Sequence, residues 1–439
     1  MTLHVLTDKR SSRLDYVLRQ IVKRWWGMEF QTYLDVLKFE ESVGPKICYT
    51  QQRYPDSLWI VPSGLLSQIG VDQLDLRPAK DENKRFTLFT STSGDLNYDP
   101  LSAVFYLLSR YEEYLPHIQD EYQRFTAAGS ILTEYGVLRK PVVEHWCQEL
   151  AQAIQLRFPD FKTPEKKLSV DILVYVQEAY RYRRKGILRQ FGIFWSSVFS
   201  GKFRDAISCA RVLVFNAQDP YDIYNDLLSQ YRSAVKTAGS VSKQLSFFFQ
   251  VGNYSTQDNN IFYQSKDYRN LLKMLNDYVP VGLLFSFFSY QDVNLMNTEH
   301  RRMEDILHVP DLPAMGRLSR LGVPYYPQDL LSTGVRKDYT MGYHDALGYR
   351  AGTSKAFGYY DLDTETSTPL VMHPVAVHAR ALDALETDYA RMVAVKKMIK
   401  STRNVGGYMR VALSNTDLAM MNTESVGVRI LTKLLEIDA

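Results

Sequence analysis

Cysteine is scarce in this sequence. Cys48, Cys147 and Cys209 are the three in 439 residues, far apart and odd in number. A disulfide framework needs paired cysteines and a zinc ribbon needs closely spaced ones, so both are excluded. Three inert, buried thiols in a reducing compartment are expected. Long apolar runs are missing as well. The longest is about the length of "VGLLFSFFS", residues 281–289, roughly half of what a membrane-spanning helix requires. The opening "MTLHVLTDKRSSRLDY" lacks the basic-then-apolar order of a secretion signal, and these absences together give the expectation of a cytoplasmic protein with no membrane span. Charge of one sign is also lacking. Lys plus Arg total 52 against 49 Asp plus Glu, a net of +3, which argues against nucleic acid or an acidic membrane as the main partner. There is no Gly-rich phosphate loop, no G-x-G-x-x-G and no nucleophile elbow. The eight histidines form neither an i, i+4 pair nor an H-x-H pair. His373 and His378, five apart in "HPVAVH", are expected on opposite faces of a strand in structural roles.

Aromatic residues are abundant, with 30 Tyr and 21 Phe, and 45% of residues are hydrophobic. A chain of this length has two domains as its natural prior. In the first, "RLDYVLRQIVKRWWG" has helical spacing, and its Trp25-Trp26 pair marks either a partner surface or a face packed on a sheet. "DPLSAVFYLLSRYEEYLPH" predicts a helix with Asp99 as N-cap, Pro100 in the first turn and Pro116 as its stop. Glu112 and Glu113 then fall in a solvated last turn. "FPDFKTPEKK" reads as a linker. Beyond it, strand-like runs ("LSVDILVYV", "RVLVFN", "LSFFFQVG", "VGLLFSFFS", "YTMGY", "PLVMHPVAV", "YMRVALSN") alternate with helical ones. Examples of the latter are "DPYDIYNDLLSQYRSAVKTAG", "KDYRNLLKMLNDY" and "ARALDALETDYARMVAVKKMIK". That order predicts an α/β fold with parallel strands approaching a barrel. The expected boundaries are an accessory α/β domain at 1–160 and a (β/α) barrel at 165–439, with chemistry at the C-terminal strand ends. The basic, aromatic run "YRYRRKGILRQFGIFWSSVFSGKFR" interleaves Arg181, Arg183, Arg184, Lys185 and Arg189 with Tyr180, Tyr182, Phe191, Phe194 and Trp195. It reads first as a solvated loop and helix covering the barrel. A sugar or partner surface and an interfacial helix are the alternatives, with a nucleic-acid strip the weakest.

Seven strings in order, from "DPLSAVFYLLSRYEEYLP" through "YQRF", "AYRYRRKGILRQFG", "DPYDIY", "FFFQVGNYSTQDNN" and "RKDYTMGYHDALGYRAGTSKAFGYYDL" to "GGYMRVALSN", span residues 99–415. Together they resemble bacterial polysaccharide deacetylase-like proteins that carry an extra N-terminal α/β domain. The resemblance implies a distorted barrel related to carbohydrate esterases. It also implies a divalent metal held by one Asp and two His, an Asp base and a late His acid. This chain departs from that pattern at the positions of the base, the metal carboxylate, a metal histidine and the acid. Tyr175 and Gln177 stand where an Asp-x-Asp pair is expected. Leu284 stands for a metal histidine with Phe285 beside it, and Ser414 precedes Asn415 where the acid belongs. Arg350, in "YRAGT", matches the arginine that orients the base, yet Tyr175 gives it no carboxylate to orient. Leu and Phe cannot ligate a metal, and losing several members of one catalytic unit leaves little hydrolysis. The resemblance therefore implies a degenerate, non-catalytic member with no metal and no cofactor. Its strand-end cleft, lined by Tyr175, Gln177, Asn253, Asp258, Phe285, Phe287, Arg350 and Ser414, would bind a glycan or a protein such as an active paralogue, or be filled by its own phenylalanines. The competing expectation is an active metal-dependent deacetylase or other hydrolase built from relocated residues among Asp171, Asp258, Asp345 and His344. Asp171 shares a face with Tyr175 but lies about 13 Å deeper along the strand.

Overall fold

The structure is a computed structural model. It describes residues 1–80, 85–185, 187–237, 239–259, 261–419 and 425–437. Gly186 and the side chains of Arg189 and Phe191 in the basic run lie outside the described residues. The first strands, β1 (Thr2–Thr7), β2 (Glu29–Tyr33), β3 (Lys46–Tyr49) and β4 (Leu58–Ile60), form a parallel sheet in the order β2-β1-β3-β4. A small antiparallel pair, β5 (Ala79–Lys80) and β6 (Phe86–Thr87), follows. The helix Ser12–Leu18 runs on as a wider π-helical segment, Arg19–Trp25. The helix Pro100–Leu108 starts as its sequence requires: the Asp99 carboxylate accepts from the Leu101 and Ser102 N–H groups at 3.1 and 3.0 Å, satisfying donors that no helical carbonyl reaches. It stops earlier than expected. Arg110 takes a left-handed φ of 57° and a short turn, Tyr111–Tyr114, follows.

Residues 161–168 form neither helix nor strand. The larger sheet comprises β7 (Ser169–Val176), β8 (Ser242–Phe249), β9 (Val281–Leu284), β10 (Ala314–Met315) and β11 (Lys337–Asp338). It is completed by β12 (Phe357–Asp361), β13 (Thr366–Met372), β14 (Val377–His378) and β15 (Tyr408–Ser414). The order is β12-β13-β11-β10-β9-β8-β7-β15-β14, with every pairing parallel except β12–β13. The protein is thus mixed α/β with parallel sheets. Among the described residues the ladder is open, ending at β12 and β14, and the expected distorted barrel is not seen as a closed ring. Between β13 and β14 the N–H groups of His373 and Val375 reach the Asp338 and Met341 carbonyls, at 2.8 and 2.7 Å. That of Ala376 reaches Arg410 at 3.0 Å. Pro374 supplies no N–H and interrupts the ladder there.

Both faces of the large sheet are buried, which is why its strands read as nearly continuous apolar runs. On β7, Val170, Ile172, Val174 and Val176 join the extensive outer core, while Leu173 and Tyr175 join a separate inner cluster. The inner cluster adds Phe248, Leu284, Met315 and Ala412, one each from β8, β9, β10 and β15, and Val375 from the segment between β13 and β14, with Tyr339 against it. Gly282 makes this packing feasible, since a Cβ there would lie 2.5 Å from the Pro313 carbonyl oxygen and 2.8 Å from the Phe248 ring.

Several local expectations are corrected. "RVLVFN" is largely the end of the helix Phe203–Val214, whose buried Ala206, Cys209 and Val212 recur every three residues, a helical rather than alternating period. "YTMGY" lies just past the short β11 and is not itself a strand. "ARALDALETDYARMVAVKKMIK" divides into a 3-10 turn, Ala379–Ala384, and a helix, Asp388–Val405, capped by Thr387. Of the tryptophan pair, Trp26 is buried edge-on to Phe161 at 5.5 Å, and Trp25 donates to the Ala356 carbonyl at 3.0 Å. Both tryptophans therefore pack on the chain itself. The three cysteines are free and buried.

Candidate functional site

The strand order brings Tyr175, Leu284 and Ser414 to one end of the large sheet. Tyr175 and Leu284 lie in the inner cluster at 5% and 1% exposure, and Ser414 is the register partner of Tyr175. The Ser414 hydroxyl shares a hydrogen bond with Thr416 Oγ1 at 2.7 Å. Burial pushes the Tyr175 phenol above its ordinary pKa, with Asp417 adding to the effect. Gln177 follows β7, half-buried. Two predicted lining residues do not join them. Phe285 turns into the outer core, because one further step along a strand reverses the face. Asn253 is exposed, its side-chain oxygen accepting from Arg302 at 3.0 Å. Phe287 is half-buried above the strand ends, with the Arg320 guanidinium 4.7 Å from its ring centroid.

Asp258 is buried near this end, and its oxygens are fully engaged. They accept from Gln250 Nε2 at 2.9 Å, Ser255 Oγ at 3.0 Å and the Phe287 N–H at 3.1 Å, and they pair with Arg317. Glu299 lies close by with no exposed surface, accepting from the Ser286 N–H at 3.0 Å. Burial pushes its carboxyl up to about 7, and the Asp258 charge adds to this against the Ser286 hydrogen bonds. Asp338, wholly buried at the end of β11, is likewise pushed up to about 7 by burial, against donors from Thr340.

Arg350 has a carboxylate after all. Its Nε and Nη2 make a two-point pair with Glu113 at 2.8 and 2.7 Å, and Nη2 also donates to the Leu321 carbonyl at 2.9 Å. Arg110 binds the same Glu113 and its neighbour Glu112, each at 2.8 Å. The expectation that Glu112 and Glu113 form a solvated turn is therefore wrong, for both are buried. The left-handed Arg110 folds the chain back so that they point inward. Burial alone would raise the Glu113 carboxyl, but Arg350 and Arg110 hold it below its ordinary value.

Histidines complete the picture. His373 and His378 go to opposite ends of the sheet. His373 stacks on Tyr339 at 4.3 Å, whereas His378 lies 5.0 Å from the Tyr175 ring and 4.3 Å from that of His344. Burial, reinforced by Arg124, Arg380 and Arg317, lowers His344 to about 4. Burial and the neighbouring His344 lower His378 as well. Neither Nδ1 has a hydrogen-bond partner. The other relocation candidates disperse. Asp345 is exposed, and Asp171 sits at the opposite end of β7 in an ion pair with Arg410 at 2.8 Å.

These residues do not fit a catalytic divalent cation. Leu284 and Phe285 carry no donor atom, and the Asp258 oxygens are taken by a guanidinium and three hydrogen-bond donors. Among the described residues no three His, Cys, Asp or Glu side chains come together as a metal group would need.

A family model described as a family of unknown function (DUF7033) matches residues 3–159. No curated protein matches the chain. Among solved structures, the chain is similar to one from Mycobacterium smegmatis assigned as a polysaccharide deacetylase. The match has 12% identity and a TM-score of 0.39, covering 63% of this chain and 86% of that one. So distant a likeness carries no argument about chemistry. No helix among the described residues is long and apolar enough to cross a membrane.

The residues missed by sequence reasoning are Glu113, Glu299 and Asp338. Glu113 meets its partner 237 positions away, a separation at which no local pattern operates. Glu299 lies on the buried side of the helix Val293–Leu307, alongside Met296 and Met303. A glutamate at apolar helical spacing was the available signal.

Proposed function

We propose that this protein is a non-catalytic relative of the carbohydrate deacetylases that acts by binding a glycan or a protein partner. The observation that carries the reading is the filling of the strand-end interior. At the place the sequence resemblance assigns to a metal histidine, Leu284 is buried among Tyr175, Phe248 and Met315. Asp258, a buried aspartate near the same end, is neutralised by Arg317. In this reading residues 1–160 are an accessory domain and 165–439 the deacetylase-like domain. The irregular segment 161–168 and the end of the family match at 159 support that division. The large sheet is taken as a distorted barrel, supported by residues 373–376, which bond to the β11 side and to β15.

Incubation with an N-acetylated chito-oligosaccharide and added Zn²⁺ or Co²⁺ should release no acetate above a heat-treated control. Sustained metal-dependent release would reject the proposal. One observation favours a second reading, hydrolysis by relocated residues: the His344 and His378 rings are in contact at the strand ends, each with an unpartnered Nδ1. Release abolished by His378→Ala would support that reading instead.

A further inference from the structure

The opposite end of the large sheet holds a cavity of about 650 Å³ between the strand N-termini and the Arg19–Trp25 segment. That volume suits a ligand the size of a sugar phosphate or nucleotide. Its floor is a row set by register: Arg410, Asp171 and Gln244 are direct partners on β15, β7 and β8. The Arg410–Asp171 pair cancels its own charge. At the rim, Lys167 is paired with Glu165 at 3.4 Å. Three further cations line the cavity: Arg24, Lys337 and Lys355. Among the described residues none of the three has a carboxylate within ion-pair distance. They approach from separate elements: the helical segment, β11 and the loop before β12. The His373 ring also lines the cavity, with its Nδ1 unpartnered.

Three cations without an ion-pair carboxylate among the described residues line one concavity, over a floor whose charges are already balanced. Lys355 also lies 5.9 Å from the Trp25 ring centroid and its charge is felt by the buried Glu144, yet the three together leave a positive potential that a bound anion would neutralise. We propose that this cavity binds a small polyanion, a phosphorylated or polycarboxylated metabolite, through Arg24, Lys337 and Lys355. The site goes beyond the reading of the strand C-termini and stands whether or not that end hydrolyses anything.

Isothermal titration of the full chain with pyrophosphate, and separately with citrate, tests it and distinguishes the two anion chemistries. Saturable one-to-one binding of at least one is expected, weakened in 0.5 M NaCl as charge recognition requires. The double variant Lys337→Ala/Lys355→Ala should weaken that binding at least tenfold. Lys202→Ala/Arg204→Ala removes two exposed charges outside the cavity and should leave affinity unchanged. Matching thermal melts would show that both variants are folded. No saturable binding of either anion, or equal weakening by both double variants, would overturn the proposal.

Discussion

Among single residues, the buried carboxyls have the most to say about behaviour in solution. Glu299 has a folded pKa near 7 against an ordinary 4.5. A carboxyl raised on folding binds more protons in the native state, so its contribution to stability declines as pH rises from about 4.5 to 7. Above that window the full penalty of a buried charge applies. The lowered histidines act with the opposite sign, since His344 and His378 cost stability as pH falls below about 6.5. The net pH profile therefore mixes both, and only a difference isolates Glu299. Glu299→Gln should gain stability relative to the native protein between pH 5.5 and pH 8, by about 2 kcal/mol for the 1.5 pK units spanned. Urea unfolding at the two pH values measures this. A constant difference would mean that Glu299 does not titrate in the window. At this scale sequence reading was mixed. Asp99 was legible as a cap because capping is local, whereas Arg350 was singled out only by the family resemblance. Its carboxylate partner was not legible, because Glu113 meets Arg350 only through the fold.

Strands proved easier to place than their interruptions. β7, β8 and β15 follow from runs of β-branched and aromatic residues buried on both faces. β9 matches the strand part of "VGLLFSFFS", ending at Leu284. The helix Phe203–Val214 was misread because a short apolar run such as "RVLVF" satisfies both periods until its N-terminal neighbours are counted. Gly282 tests the packing of β9. Gly282→Ala would drive a Cβ against the Pro313 carbonyl, which is backbone and cannot swing away. A loss of about 1–3 kcal/mol is expected from overpacking. At Gly192, in the helix Ile187–Phe199, an added Cβ would have nothing within 4 Å, so Gly192→Ala should be neutral or stabilising by up to about 1 kcal/mol. Equal melting temperatures for the two variants would show that β9 is looser than described.

Across the whole molecule, the two regions are tied by buried polar links as well as apolar contact. Arg13 pairs with Glu365 at 2.9 Å, the Tyr16 hydroxyl donates to the Gly358 carbonyl at 2.7 Å, and Gln20 accepts from the Gly358 N–H at 3.1 Å. Arg350 and Glu113 add a fourth link. One contiguous apolar core runs from Leu3 to Ile437. Separate unfolding of either region would strand these groups, so calorimetry should show one cooperative transition. Two resolved transitions would mean that the links are weak. The alternation of strands and helices made the α/β class legible. Sheet order and the open ladder were not, because pairings between distant strands leave no local trace.

The central claim is that the strand-end interior is packed rather than catalytic, and metal stoichiometry tests it most directly. Protein purified without chelator, exposed to Zn²⁺ and dialysed should retain far less than one ion per chain by elemental analysis. One tightly held ion per chain, lost in Asp258→Ala, would contradict the account.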